Sequence, residues 1–227
     1  MRDDLVPPSA RPPLEPPWTP KRGDLSRLLA LSDGIFAFAL TLLVLGIALP
    51  LQFNASMLWS VLVDLKPAFL AFVLSFFVIA LYWLSHQEIF AYIVRLDRLV
   101  MMLNIGFLLT IAIMPFVTDV LATAGSQFLA VAVYSLAQIA AGGLLALIWL
   151  YATRWGALTE RALPASWIDY LTVRLILAPA LFAVSIPVGY FDPLAAEISW
   201  IAILVLVRIV RHRLRARSKR SRPPEPP

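Results

Sequence analysis

Apolar residues run along this chain in six long blocks instead of alternating with polar ones. The blocks cover about Arg27–Leu49, Pro67–Phe90, Leu99–Leu121, Gln127–Tyr151, Leu171–Gly189 and Pro193–Arg211. Each helical residue advances the chain by only ~1.5 Å, so a helix needs roughly 20 apolar residues to cross the hydrocarbon of a bilayer. The first five blocks meet that length or come near it. The sixth is the weakest, being uncharged only over Ile198–Val207, with Glu197 at its edge. The pattern predicts an all-α, polytopic membrane protein with six transmembrane helices.

The ends read differently. Residues 1–24 carry prolines at 7, 8, 12, 13, 16, 17 and 20, a spacing that forbids a helix. They have no apolar core, so they read as a disordered, Pro-rich tail and not as a signal peptide. Residues 25–210 form the six-helix domain, and residues 211–227 a second tail, basic and then Pro-rich.

Composition narrows the function classes. The 227 residues are 60% hydrophobic and 15% charged, with a mean hydropathy of +0.81. Soluble chains are typically ~45–50% apolar and ~25% charged, so an ordinary soluble enzyme is excluded. There is no cysteine, and the only histidines are His86 and His212. Disulfides, thiol catalysis and iron–sulfur clusters are therefore excluded, and no metal site or cofactor is expected.

Positive charge sets an orientation. Arg2, Arg11, Lys21, Arg22 and Arg27 precede the first block, and Arg95 and Arg98 separate the second from the third. Arg154, Arg161 and Arg174 lie around the start of the fifth, and eight more Lys and Arg close the chain from Arg208. Six crossings place all of these on one side and leave Lys66 alone on the other. By the positive-inside rule both termini are cytosolic, in a cell (plasma or inner) membrane. The net charge of +5 then reflects topology and no nucleic-acid surface, and the C-terminal cluster is placed to touch anionic lipid.

Polar residues inside the blocks are informative because they are costly in lipid. Asp33 lies six residues, ~9 Å of rise, beyond Arg27 and follows Ser32. His86 near the end of the second block and Asn104 near the start of the third fall at similar depth. Arg27, Ser32, Asp33, His86 and Asn104 are thus expected to form a hydrogen-bonded network holding three helices in register. No nucleophile or phosphate-binding motif accompanies Asp33 and His86, so no catalysis is expected. On a helical wheel Leu31, Gly34, Phe38, Thr41, Leu45 and Leu49 share one stripe of the first helix, with Asp33 about 140° from Phe38. Such a stripe faces lipid, a protein core or a pore. Angle alone admits all three.

The run Arg27-Leu-Leu-Ala-Leu-Ser-Asp-Gly-Ile-Phe-Ala-Phe-Ala-Leu-Thr-Leu-Leu-Val-Leu45 resembles the first-helix signature of the transmembrane protein 175 family of potassium channels. Ser75-Phe76 and Tyr82-Trp83-Leu-Ser-His86 resemble its second helix, and Asn104 with Leu108 to Pro115 its third. The resemblance implies a six-helix subunit of the bacterial single-repeat type, assembling as a homotetramer around a pore lined by the first helix. Phe38 would then be the main constriction, Thr41 a hydroxyl ring, and Leu45 a further apolar ring. Arg27, Ser32, Asp33 and His86 would be its structural network. The only metal implied is transient potassium, and no Thr-Val-Gly-Tyr-Gly filter loop occurs in the sequence. Leu31 stands where the family usually has Phe, and Phe38 where it has Ile or Leu. Two alternatives are a proton-conducting channel using Asp33 and His86, and a secondary transporter. For the latter, Pro179, Pro187 and Gly142-Gly143 are more simply kinks and close packing.

Overall fold

The computed structural model describes residues 24–50, 55–159 and 163–200. Both tails lie outside these residues. Helix α1 spans Asp24–Leu42 and tightens into a 3₁₀ turn over Leu43–Gly46. A short α2 follows at Leu58–Asp64, then α3 at Lys66–Phe90. Next come α4 at Arg98–Ala112 and α5 at Met114–Ala124. Helix α6 covers Phe128–Leu150, with a π turn over Tyr151–Trp155, and α7 covers Ala165–Phe191. No strand occurs among the described residues, only an isolated bridge between Ile93 and Thr159.

Five helical stretches are long and apolar enough to cross a membrane: Asp24–Gly46, Lys66–Phe90, Arg98–Ala124, Phe128–Trp155 and Ala165–Phe191, of 23 to 28 residues. They match the first five apolar blocks. Of the sixth block, residues 193–200 are helical and the rest lies outside the described residues.

The boundaries differ from the sequence pattern for local reasons. The first block loses its helix after Gly46, three residues before Leu49. The third block is two helices, because Pro115 at the start of α5 has no N–H to give to Ile111 and the chain bends at Ile113. The fifth begins at Ala165, six residues before Leu171, and carries Pro179 and Pro187 within it.

The five spans alternate in direction, so one end of the bundle gathers the N-terminus of α1, the α3–α4 loop and the α6–α7 loop. We call this the proximal end. Its loops are tied together: Val94 and Arg95 N–H both donate to Leu158 O, at 3.0 and 3.2 Å. Asp97 caps α4 by accepting from Val100 N–H at 2.8 Å and also accepts from Tyr151 Oη at 2.6 Å. The π turn that ends α6 therefore meets the cap of α4.

Close packing sets the helix spacing. A Cβ on Gly142 would lie 2.8 Å from Pro179 Cδ and 3.1 Å from Tyr82 Oη, so α6, α7 and α3 approach as only glycine permits. Gly143 beside it faces open space. Helix α7 packs chiefly on α6, and α1 packs on α3, α4 and α5. One apolar core runs from Leu28 through Phe36, Ile79 and Phe107 to Trp149, and a second joins Val131, Tyr134, Phe182 and Trp200.

Candidate functional site

Helix α1 has two faces. Leu28, Ser32, Phe36, Ala39 and Leu43 recur at helical spacing and are buried against the subunit. The stripe predicted from the sequence points the other way. Phe38 is 65% exposed and Leu45 69%, with Leu31, Gly34, Thr41 and Leu49 also exposed. A Cβ on Gly34 would meet nothing within 4 Å. Among the described residues this face has no partner.

Thr41 is the one hydroxyl on that stripe. Its Oγ1 donates to Phe38 O one turn back, at 2.9 Å. The proton is used within the helix, so the oxygen presents lone pairs outward.

The buried face is held by a hydrogen-bond chain through three helices. His86 Nε2 on α3 lies 2.9 Å from Asn104 Oδ1 on α4. The amide oxygen can only accept, so His86 donates from Nε2. Asn104 Nδ2 donates to Ser32 Oγ at 3.1 Å, and Ser32 Oγ donates to Leu28 O at 2.9 Å. All three side chains are fully buried. The imidazole stacks between Phe90 at 4.3 Å and Phe107 at 5.6 Å, with the Phe36 edge at 5.9 Å.

Two of the five expected network residues sit elsewhere. Asp33, expected in one network with His86, is exposed and does not bond it. Its Oδ1 accepts from Trp83 Nε1 at 2.8 Å and Gln87 Nε2 at 2.6 Å, both on α3. Ser32 and Asp33 are adjacent and point ~100° apart, so one reaches α4 while the other reaches α3. Arg27 is exposed, and among the described residues no hydrogen bond or ion pair joins it to this group.

Three partners escaped the sequence reading. Trp83 and Gln87 have the i, i+4 spacing that puts two donors on one side of α3, which was the available signal. The third is Glu88, whose Oε2 lies 2.5 Å from Nη1 of the buried Arg174 on α7. Further along the bundle, Tyr134 and Gln138 on α6 both bond across helices. Tyr134 Oη lies 3.1 Å from Ser75 Oγ, which also accepts from Thr118 Oγ1 at 2.8 Å. Gln138 O accepts from Tyr82 Oη at 2.9 Å, and its Nε2 lies 3.6 Å from Met114 Sδ.

The residues that build this arrangement coincide with a known profile. Residues 27–115 match the family described as the endosomal/lysosomal potassium channel TMEM175. The chain is also 36% identical over 155 residues to a potassium channel of Streptomyces collinus, covering 66% of this chain and 75% of that one. The chain belongs to the TMEM175 family. Over 178 residues this TMEM175 member is 30% identical to a potassium channel of Chamaesiphon minutus, spanning 76% of this chain and 88% of the relative. The crystal structure of a lysosomal potassium-selective channel TMEM175 homolog from Chamaesiphon minutus superposes with a TM-score of 0.70 at 26% identity. That match covers 85% of this chain and 98% of the other, so the fold of TMEM175 extends past the conserved profile into α6 and α7.

Proposed function

We propose that this chain is the subunit of a potassium-permeable cation channel, a homotetramer that conducts passively through a central pore lined by α1. It catalyses no reaction. The observation that carries the reading is the outward stripe of α1. Phe38, Thr41 and Leu45 are exposed on one side while the other side is fixed by buried hydrogen bonds. A single subunit cannot enclose a path with this stripe, and four copies with α1 on the axis do.

In that assembly Phe38 forms the constriction, Leu45 a second apolar ring, and Thr41 a ring of hydroxyl oxygens between them. An apolar constriction passes an ion only after partial dehydration. Oxygens with their protons already donated to Phe38 O replace part of the lost hydration of a cation and offer nothing to an anion. The phenyl faces carry the negative part of the ring quadrupole and also favour cations. Arg27, Ser32, Asp33, His86 and Asn104 act behind this lining as a structural network.

The proximal end faces the cytosol in this reading, since Arg27, Arg95, Arg98 and Arg154 lie there and Lys66 lies at the other end. Both termini are then cytosolic, with six crossings per subunit, no re-entrant filter loop, and a plasma- or inner-membrane location among its lipids.

Ion flux into liposomes carrying the purified protein tests this. Potassium-dependent flux that is weaker with sodium is expected. Thr41→Ala removes one oxygen per subunit and is expected to reduce potassium-over-sodium preference about fivefold, the worth of roughly one hydrogen bond. Phe38→Ala is expected to raise conductance. Unchanged currents in both variants remove α1 from the pore, and dye-reported proton flux without potassium replaces this reading with a proton channel.

A further inference from the structure

One short stretch of α3 bonds in several directions. Trp83 and Gln87 hold Asp33 of α1, and His86 reaches Ser32 of α1 through Asn104 of α4. On another side, Arg174 of α7 approaches Glu88 at 2.5 Å and Ser85 Oγ at 3.4 Å. Helix α7 packs on α6, while α1 packs on α3, α4 and α5. The Arg174 contacts therefore connect α7, which packs chiefly on α6, to a helix that bonds α1.

Arg174 is an expensive way to make that connection. It stands nine residues, ~14 Å of rise, inside the start of α7, and its side chain is 8% exposed. A charge at such a position is costly unless paired. Ion pairs of this kind add little stability over apolar residues of the same volume, and their best-attested use is to fix register. Glu88 lies one to five positions from the α3 residues that fix α1. Glu88 thus joins α7 to the same short stretch of α3 that bonds Asp33 and, through Asn104, Ser32 of α1.

We propose that Arg174 is a positioning residue for the pore. It locks α7 to Glu88 of α3, so that α7 and α1 hold one relative placement. This rests on the reading of α1 as the pore helix, so the test has one readout that needs no ion flux. The chain has no cysteine, and spin labels at the exposed positions Ala30→Cys on α1 and Ala183→Cys on α7 report one defined distance. Labelled subunits are diluted into unlabelled ones in liposomes, so that only the distance within a chain is seen.

Arg174→Gln and Glu88→Gln are each expected to broaden and shift that distance distribution, and Glu88→Arg with Arg174→Glu to restore it. In planar bilayers the single variants are expected to change open probability about fivefold or more, the lower end of ordinary coupling between sites. Unit conductance should stay the same, because neither residue lines the path. An unchanged distance distribution in both single variants overturns the proposal. So does a shifted distribution with unaltered open probability, or a change in unit conductance equal to that of Phe38→Ala. Absence of potassium flux in the unsubstituted protein sinks the channel reading instead, and the distance measurement still decides whether Arg174 places α1.

Discussion

Asn104 is the residue on which the network turns. It accepts from His86 and donates to Ser32, so it is the one side chain that touches both other members. Replacement by leucine keeps the volume and removes both bonds. The His86 N–H is then left buried without an acceptor, and such a loss costs about 1–3 kcal/mol. We expect Asn104→Leu to unfold earlier in a denaturing detergent titration by that amount. Thr110→Val, which removes only a bond to Phe107 O in its own helix, should shift the midpoint much less. This trio was legible in the sequence because a serine, a histidine and an amide in apolar helices must find partners, and topology put them at one depth. Asp33 was harder. Helical angle told how far it stood from Phe38, but not that α3 would offer Trp83 and Gln87 at the surface. Arg174 was read only as a topological marker, because a long cationic side chain near a helix end ordinarily reaches for water. Its burial against Glu88 depends on how α7 and α3 are placed, which no single helix encodes.

At the scale of elements, the spans were readable and their interruptions less so. The lengths of the apolar blocks follow from bilayer thickness, so five of them reappear as long helices. Pro115 divides the third span and Pro179 does not divide the fifth. Pro115 stands in the first turn of α5, whereas Pro179 lies inside α7, where it sits in a tight contact with Gly142 of α6. The short α2 has no buried residue and falls between two blocks, where neither periodicity nor length singled it out. The contact at Gly142 makes a prediction. Gly142→Leu must push Pro179 away and is expected to destabilise the subunit by about 1–3 kcal/mol, as overpacking does. Gly143→Ala meets open space and should be neutral or slightly favourable, since alanine is the better helix former. Thermal unfolding of the two variants in detergent checks the pair.

The whole molecule has a lopsided surface. One side of α1 is finished by its own subunit, and the other shows four large apolar side chains, Leu31, Phe38, Leu45 and Leu49, and a hydroxyl left exposed among the described residues. In the proposed tetramer these meet across the axis. Thr41→Cys, made in a chain without other cysteines, is expected to form disulfide-linked dimers under mild oxidation in liposomes. Ser60→Cys on the exposed α2, which packs on α3 and not on α1 among the main helix contacts, should remain monomeric on a denaturing gel. Equal cross-linking at both positions would mean random collision and no fixed axis.

The adjacency of Ser32 and Asp33 governs how α1 can turn about its own length. A helix fastened by one side chain keeps its place but swivels. Two fastenings in neighbouring positions, directed ~100° apart to different helices, remove the swivel as well. Phe38 lies between Ala37 and Ala39, so a turn of one residue would replace a phenyl ring on the axis by a methyl group. In the proposed tetramer the width of the passage is therefore a matter of azimuth, and the fastenings at residues 32 and 33 set it from about a turn and a half away.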